Sequence, residues 1–316
     1  MPNGLLTKNT PIKMLTALLL LAFSVCVTAS DPQQNETETS CNASYCMAQG
    51  EWHLAVGLGL GVRTNPLYLS DNTPLVIIPD IAWYGENWYL DNTEVGYQWI
   101  QKPHFAMETY LTLNSAYGDF KRSHISNFIL DGVNISNSVD STTTPGLAPD
   151  NGMESINDRT SLVTQLSPAD VADRDLAVDA GVRLHWYSEF SEWTLSAAHD
   201  ISSVYQGAQL NAQYRRYWQT GDWKIIGKIG LTWKSADLLD YYYGINERDI
   251  EDVSLHYSAG SGWFPQIGVS ANKKINAQWQ WLLHASYNHL PSAMTDSPLV
   301  DKKYTITTFA GVTYKF

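Results

Sequence analysis

The sequence predicts an all-β protein, an antiparallel transmembrane β-barrel of the bacterial outer membrane with about twelve strands and ten as the alternative count. Three observations carry this prediction. An apolar run near the N-terminus has the layout of an export leader. Long segments further on alternate apolar and polar residues with period two. The chain ends on an aromatic residue that closes one such segment.

The leader comes first. Leu15 to Val27 is the one long apolar run, with Lys8 and Lys13 before it and Val27-Thr28-Ala29 after it. Positive, then apolar, then small is the order of a secretory signal peptide, so residues 1–29 are expected to be removed. An uncleaved anchor helix is the competing reading, but the run is short and its end looks cleavable. A lipoprotein site at Cys26 is disfavoured because Val25 stands where a small residue is needed. Residues 30–50, rich in Asn, Thr, Gln and Glu, read as a flexible periplasmic lead-in. Cys41 and Cys46 lie there and are candidates for a disulfide in an oxidising compartment.

Past residue 30 no run approaches the ~18 to 20 apolar residues of a membrane-spanning helix, and the mean hydropathy is −0.23. A helical membrane protein is therefore excluded. From Glu51 onward the chain alternates instead. In 51–62 the even positions Trp52, Leu54, Val56, Leu58, Leu60 and Val62 are apolar, and the odd ones include His53, Gly57, Gly59 and Gly61. The pattern returns at 175–187, 206–218, 223–234 and 277–288, and more weakly at 73–84, 87–100, 103–114, 191–203 and 263–274. These segments approach the ~9 to 11 residues of a tilted strand crossing a bilayer, longer than a soluble strand of ~5 to 6. Their polar faces carry charge, including Glu108, Asp179, Arg183, Arg215, Lys224 and Lys228. The 12 Trp all lie in or at the ends of strand segments, as an interfacial girdle requires. The last segment, 305–316, ends in Tyr314 and Phe316. That ending resembles the C-terminal strand signature of outer-membrane proteins, a candidate membrane-assembly signal for the barrel-assembly machinery.

The segments number eleven, whereas single-chain bacterial barrels have even numbers. The missing strand is expected within 63–114, or 87–100 is two short pieces. Placing Phe316 in the periplasm puts the long loops 115–174, 235–262 and 289–304 outside, with 51–316 forming the barrel. Loop 115–174 is long for a connection without structure of its own.

Net charge is −12, and basic residues occur only in pairs such as Lys121-Arg122 and Arg215-Arg216. Nucleic-acid binding is excluded on that pattern. No metal-ligand spacing surrounds the cysteines, and no cofactor is implied. Asp179, Arg183, His185, Arg215, Lys224 and Lys228 fall on the polar faces and form a candidate lumen network. His199-Asp200 resembles the His/Asp pairs of surface proteases, but adjacent strand residues face opposite sides, which places His199 outward. Glu247 to Asp252 is a solvated charge run, or a contact for divalent cations or lipopolysaccharide. Tyr241, Tyr242 and Tyr243 form an aromatic belt above strand 223–234 or a loop anchor over the barrel mouth; three consecutive Tyr cannot all face lipid.

Several motifs recur in a specific order. They are Trp52 with Gly57, Gly59 and Gly61; Pro66 and Tyr68; Pro79 with Trp83-Tyr84-Gly85; Trp88-Tyr89-Leu90 and Gly96-Tyr97; Asp173-Arg174-Asp175; Asp240 to Ile245; Tyr257, Ala259, Gly260 and Gly262; Leu290; and Ser297 to Val300. In this the chain, over 51–316, resembles the MipA/OmpV family. The resemblance implies the outer membrane of a Gram-negative bacterium. For the family's namesake it implies a scaffold joining a lytic transglycosylase to a penicillin-binding protein. Other members are described as immunogenic surface proteins, and the family brings no established catalytic residues. Residues 121–170 match poorly.

The leading reading is thus a non-enzymatic envelope scaffold set among outer-membrane lipid and lipopolysaccharide. A small-solute channel and a surface adhesin or antigen are the alternatives. A filled lumen would argue against the channel, and an ordered loop platform would favour adhesion.

Overall fold

The computed structural model describes residues 49–130 and 165–316. The leader, Cys41 and Cys46, and the middle of the 115–174 loop lie outside the described residues.

Thirteen strand segments form one antiparallel sheet: β1 (Trp52–Arg63), β2 (Thr73–Pro74), β3 (Ile77–Tyr84), β4 (Trp88–Asp91), β5 (Glu94–Lys102), β6 (Phe105–Leu113), β7 (Val178–Ser188), β8 (Ser191–Asp200), β9 (Ala208–Thr220), β10 (Trp223–Lys234), β11 (Gly262–Lys274), β12 (Trp279–His289) and β13 (Tyr304–Lys315). Each pairs with its chain neighbour, and β13 returns to pair with β1. β2 and β3 both run along β1 and make one course, so the closed wall has twelve staves. The segment 87–100 is indeed two pieces, β4 and β5, joined at Asn92-Thr93, with Asn92 in the left-handed region (φ 52). That restores an even count and brings both ends of the barrel to one rim. Closure matters physically because a bilayer offers no partner to an unpaired strand edge.

The short turns between β3 and β4, β5 and β6, β7 and β8, β9 and β10, and β11 and β12 share the rim of Phe316. Residues 64–72, 114–130, 165–177, 201–207, 235–261 and 290–303 share the other. Short turns face the periplasm and long loops the exterior.

Face assignment settles which environment each side meets. Leu60 is 78% exposed, Ile267 57% and Ile229 53%, while Glu108, Glu192, Gln213, Lys228 and Asn272 are buried. Apolar residues point out and polar residues point in. This is the inverse of a soluble barrel and what lipid demands. Trp52, Trp88, Trp99, Trp193 and Trp263 are exposed on the outer surface, and no helix among the described residues is long and apolar enough to span a membrane.

The glycines of β1 have a packing reason. Gly59 stands opposite Gly311 of β13, and the Phe309 ring lies across both. A Cβ on Gly59 would sit 2.6 Å from Gly311 Cα and 2.7 Å from the Phe309 ring, and would also strike the Ala310 carbonyl. Overpacking of this kind costs about 1–3 kcal/mol even where side chains can yield, and here the obstacle is backbone. Gly59→Val is therefore expected to abolish closure at the β1–β13 seam. The check is the folded band that a closed barrel gives on an unheated detergent gel; a normal folded band would refute the packing argument.

Two apolar clusters lie at the loop rim and inside it. In the first, Leu67, Leu238, Leu239, Tyr242, Tyr243, Ile245, Met294 and Leu299 come together from different loops. Tyr243, Met294 and Leu290 also line the lumen from above, so this cluster is a ceiling over the barrel mouth. In the second, Leu130 and Phe128 descend into the barrel and meet Ala55, Leu75, Ile78, Leu282 and Phe309. The segment carrying them folds back through Tyr117–Phe120 and the 3-10 turn Ile125–Phe128. Arg63 holds it by donating to Ser126 O (2.8 Å), and Asn65 by donating to Asp119 O (2.8 Å).

Candidate functional site

With the inserted segment packed on the β12, β13, β1 and β3 wall, the opposite wall frames a cavity of about 1200 Å³. Its lining runs from Lys102, His104 and Ser188 at the turn rim to Asp119 and Tyr243 beneath the ceiling. Hydroxyls, amides and tyrosines dominate between them, with both signs of charge. The cavity is therefore a cup that reaches the periplasmic rim and is roofed on the loop side.

A ladder of alternating charge crosses its wall. Arg183 on β7 grips Glu94 of β5 with two bonds (2.7 and 2.6 Å) and Glu108 of β6 with a third (2.7 Å). Tyr89 donates to both carboxylates, at 2.7 and 3.0 Å. Arg183 also lies 4.1 Å from the centre of the Tyr110 ring. His185, two residues down the same face, lies 2.8 Å from Glu192 and 3.4 Å from Glu108. Glu192 accepts from Tyr217 (2.8 Å) and from Arg215 (3.4 Å). Period-two geometry explains the assembly: inward residues of β5 to β9 stack in register, so opposite charges meet across rungs. Glu108 sits directly opposite Arg183, and Glu192 opposite Arg215.

The candidate network residues thus divide into groups. Arg183, His185 and Arg215 join through glutamates. Asp179 belongs to a separate cluster nearer the loops, where it accepts from Asn114 (2.7 Å), Gln209 (3.0 Å) and Tyr205. Lys228 sits opposite Arg215 on β10, and Lys224 lines the cavity below it. Sequence reasoning singled out neither of the partner acids Glu94 and Glu192. It also missed Ser270, whose hydroxyl lies 2.8 Å from His284 Nδ1 on the facing rung. The inward parity of these positions was the available signal. His199 is exposed on the outer face.

The three tyrosines lie on the helix Ala236–Tyr243, capped by Ser235, whose side chain accepts from Leu238 N. Helical spacing buries Leu238, Leu239, Tyr242 and Tyr243 together. Tyr241 accepts from Asp175 N (2.9 Å), Tyr242 donates to Asp175 O (3.1 Å), and Tyr243 donates to Asp119 (2.7 Å). None of the three lies on the lipid-facing wall. Burial pushes both the Asp119 carboxyl and the Tyr243 phenol above their ordinary ranges. At the opposite rim Tyr314 packs edge-on to Phe316 (4.9 Å), and Phe316 N donates to Leu54 O (3.0 Å). Among the described residues no group of three or more His, Cys, Asp or Glu is placed to hold a metal.

A closed wall, an apolar exterior and a polar, charge-laddered interior define an outer-membrane β-barrel, and the protein resides in the outer membrane. The chain belongs to the family described as MltA-interacting protein MipA, which it matches over residues 56–316. It is 28% identical over 144 residues to the putative outer membrane protein YiaT of Escherichia coli K12, covering 45% of this chain and 58% of that protein. It is 27% identical over 145 residues to the MltA-interacting protein of the same organism, covering 46% and 58%. The chain therefore spans little more than half the length of these relatives. It is also similar to the NanC porin structure, with a TM-score of 0.39 and 9% identity over 83% of this chain and 100% of that one.

Proposed function

We propose that this barrel is a non-enzymatic scaffold of the outer membrane whose periplasmic rim docks a lytic transglycosylase. The carrying observation is the family match over residues 56–316, since the family takes its name from such an interaction. The architecture supports it. The loop side is roofed, and the turns at Glu86, Glu189, Asp222 and Asn276 share one rim, the periplasmic one by the rule that short turns face the cell wall. A penicillin-binding protein as second partner, lipopolysaccharide around the wall, recognition of Tyr314 and Phe316 by the barrel-assembly machinery, and anchoring of the roof by Tyr241, Tyr242 and Tyr243 complete the reading. A channel is the second reading, favoured by the open cup of about 1200 Å³ and opposed by its ceiling.

The test is site-specific photo-crosslinking in intact cells, with the crosslinker at Glu189 or Asn276, both exposed on the turn rim, and, as control, at Val253 in the outer loop. Lytic transglycosylase adducts from the turns alone are expected. Equal adducts from all three sites, or recovery no better than from an unrelated porin, would overturn the scaffold.

A further inference from the structure

The cup of about 1200 Å³ exceeds the ~300–1,000 Å³ of a site for one small molecule, so it has room for an extended ligand. Its chemistry is uncharged on balance. Among the described residues that line it, cationic and anionic side chains are equal in number. The acids of the ladder are engaged inside the wall. Arg183 and Tyr89 hold Glu94 and Glu108, Tyr84 and Asn92 hold Asp91, and Tyr217 and Arg215 hold Glu192. Neither sign is in excess to draw in a charged solute. Carboxamides line the cavity between these pairs, among them Gln98, Gln209, Asn211, Gln266, Asn272 and Asn288. A carboxamide both donates and accepts, as a hydroxyl does, so the two groups pair in either direction.

Two features mark where a ligand sits. Tyr187, beside the β7–β8 turn, lines the mouth and is 38% exposed. Its ring lies parallel to that of His185, at 5.6 Å and 4°, which fixes a flat aromatic surface at the entrance. Asn272 lines the cavity from β11. It is only 7% exposed, and its side-chain oxygen has no hydrogen-bond partner among the described residues. A buried acceptor in that state is unfavourable until a donor reaches it.

We infer that the cup binds an uncharged oligosaccharide from the periplasmic side. A pyranose ring offers an apolar C–H face and a rim of hydroxyls. The face packs on the Tyr187 ring, a large and rigid apolar surface. The rim pairs with the carboxamides, and one hydroxyl or acetamido N–H donates to Asn272. Bonds within the ladder hold these walls in place before a ligand arrives, which limits the ordering cost of binding. Two sources have this chemistry, an N-acetylated glycan of the cell wall and a plain glucan. The site needs no docked enzyme, so it is read on the purified barrel alone and its failure is distinct from failure of the scaffold.

Saturation-transfer-difference NMR on the full chain, in a detergent without a sugar headgroup, tests it. The probes are maltotriose, triacetylchitotriose and trigalacturonate. At least one of the two neutral trisaccharides is expected to bind saturably, with the anionic trigalacturonate about tenfold weaker. Which neutral probe binds separates the glucan from the N-acetylated glycan. Tyr187→Ala is expected to weaken binding about tenfold, while Tyr187→Phe, which keeps the ring, binds as wild type. Asn272→Leu is expected to weaken binding and to keep the folded band, and it carries the test should Tyr187→Ala not fold. Binding of neither neutral probe, equal binding of trigalacturonate, or wild-type affinity in Tyr187→Ala or Asn272→Leu would each overturn the site.

Discussion

Arg183→Ala is expected to lower the unfolding free energy of the barrel by about 3–5 kcal/mol, the range for breaking a buried ion pair from one side. The cost comes from the charges that remain. Glu94 and Glu108 keep side-chain exposures of 16% and 5%, so their charges cannot recover hydration when the guanidinium leaves. Tyr89 alone would still bond both. Urea unfolding in lipid vesicles, followed by tryptophan fluorescence, reads the loss. The triple variant Arg183→Ala, Glu94→Gln, Glu108→Gln is expected to regain most of it, because no unpaired charge is left behind. A loss under about 1 kcal/mol in the single variant, as for a surface pair, would show that water entering from the periplasmic rim already screens the ladder.

The second large effect belongs to the roof. The side chains of Arg174 and Asp249 are fully buried and 2.6 Å apart. Arg174 also donates to the carbonyls of Ala172 (3.0 Å), Tyr242 (3.3 Å) and Gly244 (3.0 Å), tying residues 172–174 to the helix Ala236–Tyr243. Asp249→Ala leaves that guanidinium buried without its counter-ion and is expected to cost the roof about 3–5 kcal/mol. Limited proteolysis should then cut within 235–261 while the strands stay protected. Acid should mimic the substitution. Burial pushes the Asp249 carboxyl up, but the hydrogen bond and charge of Arg174 outweigh it, and the net direction is down. A carboxyl held below its unfolded value of about 3.9 contributes stability above that pH and loses it as pH falls through the folded value. Wild type should therefore hold its roof at neutral pH and loosen only in strong acid. Asp249→Asn should show cleavage that no longer depends on pH in that window. Unchanged proteolysis in Asp249→Ala would place the roof's stability in the apolar cluster alone.

Alternation made the wall legible in the sequence. In β1 the even residues face out and the odd residues face in, as the period requires. The β4–β5 turn was harder to read. Asp91-Asn92-Thr93-Glu94 contains no glycine, and aromatic residues continue on both sides, so 87–100 looks like one strand. Only Asn92, tolerant of a positive φ, marks the break. The lumen network was legible as a face but not as a set of pairs. Glu94 and Arg183 are 89 residues apart, with the 115–174 loop between them, and periodicity within one strand says nothing of register across such a distance. Tyr241 to Tyr243 were ambiguous for a related reason. A helix of eight residues after a long strand offers too few turns for its period to stand out, and its burial depends on loops remote in sequence.

The seam where Ala55 faces Lys315 joins the first strand translated to the last. Until β13 arrives, β1 has an open edge, and the wall is a ribbon rather than a cylinder. Entropy opposes uniting strands separated by nearly the whole polypeptide, and a contact so distant in sequence slows folding. The strand that finally seals the ribbon carries Tyr314, opposite Val56, with its ring against that of Phe316 just beyond. Closure of the cylinder therefore waits on β13.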